Sequence, residues 1–470
     1  MILFFIRWVH TVIQSATTDK KAFGLWSAVF LGIGSMVGAG IFIVIGQAGA
    51  IAGNLVMISF LIAGIIALLC GYSLSKLAIT YPSRGGIIEY LVQSYGEGFF
   101  SGALGVLFYI AQLVALAAVA KSFGTYAATY MVEGVTTTYT NIFALSVLAF
   151  FVGINLIGAS VVAKAESIIV VIKLIALLAF TVSAMFFIKP SNFNPAEAPS
   201  YIHLFYALGL TFFAFQGFSV ITNSVEDMKD PSKTMLKSMI LAIILVGALY
   251  IAVTVAVFGN LSLSEIIQSK DFALAKASEP IFGELGFKII AATALLATAS
   301  AINATLYAVT QIGYTLAKDG NLPTLYERNI FHNSEGLIIS AILIVPMVLF
   351  FNLAEIAAIA SVTVLLIQGF THTGHLLVIK ETKASYILVI LAILGTFSAA
   401  GFAIYYTSDS IKHFPIYIVG AFAFAFMLEV LLKLLNNRTI KKQFLSKVIT
   451  LKSRFAKDLK LIRYPNKKKF

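Results

Sequence analysis

Charged side chains are scarce in this sequence. Asp, Glu, Lys and Arg make up 11% of its 470 residues, where a soluble globular chain carries about 25%. That deficit excludes an ordinary water-facing surface. Cysteine is rarer still: Cys70 stands alone, which rules out a disulfide framework within the chain, and its apolar setting reads as packing. No cleavable leader is expected either. Met1 to Phe5 is apolar, but Arg7 and His10 cut the run short and no small-residue cleavage site follows. Acidic side chains are nearly confined to the ends of apolar runs, as with Glu133, Glu226, Asp227, Glu355 and Glu381.

What the chain has in abundance is apolar length. Hydrophobic residues make up 59% of it and mean hydropathy is +0.94. A helical bilayer crossing needs about 20 apolar residues. Runs of that kind cover 24–50, 54–79, 99–131, 141–158, 160–188, 203–225, 236–259, 287–317, 336–352, 355–379, 385–407 and 414–435. The fold class expected is an all-α integral membrane protein with 12 transmembrane helices. With both termini in the cytoplasm, 26 of the 33 Lys and Arg face inward, five face outward, and Lys121 and Lys173 lie within spans. That asymmetry follows the positive-inside rule.

The net charge of +12 does not point to nucleic acid. Thirteen of the basic residues lie from Lys433 onward, interleaved with Phe444, Leu445, Val448, Leu451 and Phe455. Such a tail suits anionic lipid headgroups, or is a plain positive-inside tail with no further role.

Two interruptions carry the functional signal. The first span reads Gly32-Ile33-Gly34-Ser35-Met36-Val37-Gly38-Ala39-Gly40-Ile41-Phe42, and each glycine weakens a helix by about 1 kcal/mol relative to alanine. The sixth places Gln216 and Gly217 in Phe212-Phe213-Ala214-Phe215-Gln216-Gly217-Phe218-Ser219. If the first ten spans are two five-span halves, the breaks correspond, and paired breaks of this kind point to a transporter site. The alternative is that small residues merely allow close helix packing.

Unwound backbone at membrane depth must line a cavity or be buried in protein. A half-helix starting near Gly38 to Gly40 presents free N–H groups and a positive dipole end, suited to a carboxylate. Carbonyls around Ile33 to Met36 and Phe213 to Gln216 suit an ammonium. A ligand with both charges close together is an α-amino acid. The shortage of anionic side chains in the spans favours a neutral one.

Lys173 stands mid-span in Ile168-Ile169-Val170-Val171-Ile172-Lys173-Leu174. A charge at a helix centre costs about 2.5–3.5 kcal/mol on insertion scales. A buried lysine that can shed its proton is a proton carrier; the other reading is a permanently charged strut. Lys121, nearer an outer end, is placed to pack against Glu133 or reach a cavity. His372 and His375 share a helix face, but without a carboxylate or cysteine nearby they read as packing, not a metal site. The spans hold no converging carboxylates or nucleophile–base pair that would make an enzyme, so no catalytic residue, metal or cofactor is expected.

Four segments resemble the amino acid-polyamine-organocation (APC) transporter superfamily: Gly38-Ala39-Gly40-Ile41-Phe42, Tyr81-Pro82-Ser83-Arg84-Gly85-Gly86, Phe212 through Glu226-Asp227-Met228-Lys229-Asp230-Pro231-Ser232-Lys233, and Ala317-Lys318-Asp319-Gly320-Asn321-Leu322-Pro323. They fall in order over more than 300 residues. Ala163-Lys164-Ala165-Glu166 through Lys173, with Gly217 to Asn223 and Ala301 to Tyr307, is similar to the superfamily's archaeal proton-coupled, broad-specificity amino acid transporters.

The resemblance implies a LeuT-like fold: two inverted five-helix repeats (24–188 and 189–383), two peripheral helices (384–435), a cytoplasmic arm (1–23) and a basic cytoplasmic tail (436–470). It implies that Lys173 takes the place of a sodium ion, bridging the Gly34 carbonyl to Ser300 and Thr298, while Ala297 stands where the family has a serine. It further implies that Met36, Gly38, Ala39, Gly40, Phe213 and Gln216 bind substrate and that Phe213 is a gate. The expected function is proton symport of amino acids across the cell membrane by a multi-pass permease whose partners are substrate, protons and lipid. The rival expectation is an amino acid or polyamine exchanger without ion coupling.

Overall fold

The computed structural model describes residues 24–436 apart from Arg84, Glu133, 158–159, 194–198, 331–332 and Lys412. The arm over 1–23 and the tail beyond Asn436 therefore lie outside the described residues, as do the side chains of Ala39 and 157–167.

Helices cover each of the predicted apolar runs. In chain order they are α1 (Leu25–Met36), α2 (Ala39–Ala52), α3 (Val56–Thr80), α4 (Ile87–Tyr95), α5 (Phe99–Ala128), α6 (Thr137–Ile157) and α7 (Ser160–Ala184). There follow α8 (Ile202–Tyr206), α9 (Leu208–Phe215), α10 (Val220–Asn223), α11 (Pro231–Asn260), α12 (Leu263–Gln268) and α13 (Ala273–Lys318). The last are α14 (Glu335–Phe350), α15 (Leu353–Leu377), α16 (Ile379–Thr382), α17 (Tyr386–Ser410) and α18 (Phe414–Asn436). A short hairpin pairs β1 (Asn329–Ile330) with β2 (Asn333–Ser334). Among the described residues nine helices are long and apolar enough to cross a membrane, and the apolar segments Leu25–Met36, Leu208–Asn223 and Glu335–Phe350 are shorter. The fold is all-α.

Side-chain chemistry sets the boundaries. The first run divides at Val37 and Gly38, whose backbone angles are not helical. α11 starts on Pro231, where the missing N–H is harmless. α12 and α15 open on capping boxes, Ser262 with Glu265 and Asn352 with Glu355, each satisfying otherwise orphaned N–H groups. The eighth span starts earlier than its apolar pattern suggests. α13 begins at Ala273 and is broken at Gly283, whose φ of 64° takes it out of helical geometry without the steric cost a Cβ would bring.

α5 is the most enclosed span: 89% of its apolar window is buried, and it packs on α6, α13, α14, α15 and α18. α1, α3, α9, α10 and α11 form a second group around the two interruptions, joined to the first through α2 and α7. Large apolar side chains such as Leu61, Phe150, Ile168, Ile387 and Met427 are exposed on the outside, as a lipid-facing surface requires.

Candidate functional site

The first interruption is two residues wide. α1 ends at Met36, with Val37 N–H bonded to Ile33 O and Gly38 N–H to Met36 O, both at 2.8 Å. α2 starts at Ala39, capped by Gly38. Ser35 is exposed at this depth, while Met36 and Gly38 are buried. The N–H groups of the first turn of α2 include those of Ala39 and Gly40, whose positive dipole end faces the break.

The second interruption is tighter than expected. α9 ends at Phe215, Gln216–Ser219 forms a 3-10 turn, and helix resumes at α10. A 3-10 turn keeps some backbone bonds, here Gln216 N–H to Phe213 O, so this segment is narrowed, not fully unwound. Phe213 is buried and Gln216 half-buried.

Glycine brings the two segments together. A Cβ on Gly40 would stand 2.8 Å from Ala214 O, and one on Gly217 would stand 2.5 Å from the Ser35 carbonyl carbon. Tyr250 of α11 ties the same segments. Its hydroxyl donates to Met36 O at 2.7 Å and lies 3.1 Å from Ala214 O. Nothing in the sequence marked Tyr250, because its partners are backbone atoms from distant spans. Together with the Val37 and Gly38 N–H groups, it engages the carbonyls of Ile33 and Met36 that the sequence had offered to an ammonium.

Lys173 projects from α7, 1% exposed, and its Nζ donates to Gly34 O at 2.8 Å. Gly34 lies in the last turn of α1, where carbonyls lack helical partners and carry the negative dipole end, which suits an ammonium. α13 packs against α7 and carries the other two residues expected here. Ser300 is buried. The Thr298 hydroxyl donates within its own helix to Ala294 O at 2.7 Å.

Lys121 is bound in the same manner at a different place. Its Nζ donates to Asn141 Oδ1 at 2.6 Å and to Val348 O at 2.7 Å. Val348 lies in the last turn of α14, and the N–H of Asn352, four residues on, bonds Glu355 Oε2 instead. Lys121 thus caps a helix C-terminus; Glu133 lies outside the described residues.

His372 and His375 are fully buried, and both direct Nδ1 at Ser73 Oγ, at 2.9 and 2.7 Å. Thr382 donates to Ile379 O, so it accepts from His375 Nε2 at 2.8 Å. His375 then accepts the Ser73 hydrogen at Nδ1, and His372 donates through its own Nδ1. The pair is a hydrogen-bonded strut from α3 to α16. Glu429, a buried carboxylate within α18, escaped the reading of acidic residues as run-end groups. With Asn321 it lies against Gly102.

On the loop before α13, Gln47 of α2 donates to Asp271 Oδ1. Burial holds the Asp271 carboxyl above the ordinary carboxylate range, against the opposing pull of Lys270, the Gln47 hydrogen bond and Lys121.

The comparisons agree with this architecture. Residues 23–444 match the family model described as amino acid permease. An uncharacterized protein of Methanocaldococcus jannaschii is 32% identical over 89% of this chain and 97% of its own. The inner membrane transport protein YbaT of Escherichia coli is 32% identical over 90% of this chain and 98% of its own. The branched-chain amino acid permease BcaP of Bacillus subtilis is 23% identical over 65% of this chain and 68% of its own. With two interrupted segments in contact at the centre of a helical membrane fold, and a family match over nearly its whole length, the chain is a multi-pass membrane transporter, not an enzyme, and belongs to the amino acid permease family of the APC superfamily.

Proposed function

We propose that the protein carries neutral amino acids into the cell by proton symport, with Lys173 as the coupling group. The observation that carries this reading is the 2.8 Å bond from the buried Lys173 amine to Gly34 O. It joins a titratable group at membrane depth to the helix whose end forms the substrate site. The protonated amine holds α7 to α1. Loss of its proton to the cytoplasm removes the charge that strengthens that bond and favours substrate release. A proton can shift such an equilibrium only by its differential affinity for the two states, and a bond that exists in one state supplies that difference.

The substrate carboxylate would meet the N–H groups of Ala39 and Gly40, with Met36, Gly38, Phe213 and Gln216 around it and Phe213 as the gate. One helix bundle would rock against the rest about this site, with both termini and the basic tail on the cytoplasmic face, the tail against anionic lipid. Neutral substrates are supported by the shortage of carboxylates in the spans and by the branched-chain substrates named for the B. subtilis relative.

The test is uptake of labelled L-alanine, L-serine and L-leucine into proteoliposomes under an inward proton gradient, with and without sodium. Accumulation should need the gradient and ignore sodium, and Lys173→Ala should abolish the response to pH. Uptake that ignores the gradient but needs internal substrate would make the protein an exchanger. An unchanged pH response in Lys173→Ala would remove the lysine from coupling.

A further inference from the structure

We infer that Tyr250 is a positioning residue for the substrate site: its hydroxyl fixes the end of α1 against the end of α9 and so sets substrate affinity. This rests on reading the two interruptions as that site.

Three observations lead to it. The hydroxyl reaches one carbonyl from each interrupted segment, Met36 O at 2.7 Å and Ala214 O at 3.1 Å. Its single hydrogen is shared between them, stronger at the shorter contact. The ring cannot swing away: it is fully buried and packed edge-on to Phe60 of α3 and tilted against Phe215 of α9, with centroids 5.7 and 5.2 Å apart. Met36 O also accepts the Gly38 N–H at 2.8 Å. A carbonyl oxygen has two lone pairs, and here the chain engages both.

The glycine contacts and Tyr250 then have different tasks. Gly40 and Gly217 allow α2 and the Gln216–Ser219 turn to approach their neighbours, but a missing side chain exerts no pull. Two carbonyl oxygens at helix ends repel each other when buried, and a shared donor between them turns repulsion into attraction. Tyr250 supplies that donor, so the spacing of the two segments holds whether or not substrate is bound. Preorganisation of this kind strengthens binding by removing an ordering cost. It also withdraws Met36 O from the ligand, so the substrate ammonium bonds to other groups.

Tyr250→Phe keeps the ring and its packing and removes only the donor. For whichever of L-alanine, L-serine or L-leucine the wild type carries, the variant should raise KM about tenfold, with the saturated rate and the pH dependence within about twofold of wild type, the signature of lost binding that substrate and transition state share. A role confined to folding would lower the saturated rate with the amount of protein and leave KM alone. That result, or an unchanged KM, overturns the inference.

A second readout needs no transport. Ser35 is exposed beside the contact, and Cys70, the chain's sole natural cysteine, is buried. Thiol labelling of Ser35→Cys should speed up about tenfold when Tyr250→Phe is added, because the end of α1 is released. An unchanged labelling rate overturns the positioning role. A wild type that moves no amino acid overturns the reading of the site, whatever the labelling shows.

Discussion

Gly217 sits so close to Ser35 that a methyl group on the glycine would stand 2.5 Å from the serine's carbonyl carbon and 2.6 Å from Met36 N. These neighbours are backbone atoms, which cannot rotate away as a side chain can. Gly217→Ala must therefore push the two interrupted segments apart, and overpacking of this kind costs about 1–3 kcal/mol. Gly40→Ala meets Ala214 in the same way, at 2.8 Å from its oxygen and 2.9 Å from its Cα. Both variants should reach the membrane and lose most uptake. Gly401→Ala on α17, with nothing within 4 Å, should transport normally. Full activity in Gly217→Ala would mean that the segments are not held this close during transport.

The two buried lysines should separate by function. Lys121 ends on Asn141 and Val348, on α6 and α14, away from both interruptions. Replacing it by methionine leaves two acceptors unpaired, the buried Val348 O and the half-buried Asn141 Oδ1, the former at about 1–3 kcal/mol. We expect Lys121→Met to melt several degrees lower in detergent while its uptake keeps the wild-type dependence on pH. Lys173→Ala, which also leaves an acceptor unpaired at Gly34 O, should differ by losing the response to pH. Loss of pH response in Lys121→Met would reassign the coupling.

The first break was legible because its cause is local. Four glycines in nine residues weaken that stretch of helix whatever packs around it, and the structure breaks there at Val37 and Gly38. Lys173 was legible because charge inside an apolar run is rare. The second break was read too openly: Gln216 and Gly217 interrupt α9, but a 3-10 turn fits the same residues. Lys121 and Tyr250 were not legible in their roles. Each acts on a carbonyl freed by the end of a different helix, and sequence spacing carries no information about which helix end a distant side chain will meet.

The rings of His372 and His375 should hold opposite tautomers. Thr382 donates to Ile379 O and so must accept from His375 Nε2, which leaves His375 Nδ1 to accept from Ser73 and His372 Nδ1 to donate to it. Nitrogen NMR of ring-labelled protein should show His375 protonated at Nε2 and His372 at Nδ1. Ser73→Ala should lower the melting temperature and free the His372 tautomer to exchange, while Thr382 keeps His375 protonated at Nε2. Two rings in the same tautomer in the wild type would break the chain of donors.

Asp271 gives a dependence on pH whose sign follows from burial. Its folded-state pKa is raised, with burial the largest cause, above the ordinary value of about 3.9. The folded state therefore holds the proton more tightly than the unfolded state does. As pH rises from the ordinary value through the raised one, the folded protein loses stability; at more acid pH no such loss occurs. The groups facing this carboxyl are the Gln47 amide, Lys270 and Lys121, and none of them reverses the shift. Asp271→Asn keeps an oxygen for Gln47 and removes the charge. It should melt at the wild-type temperature near the ordinary carboxylate pKa and above it near neutrality. A variant less stable than wild type at neutral pH would show that attraction to the two lysines outweighs burial, and that charge, through Lys121, holds the loop before α13 to α5.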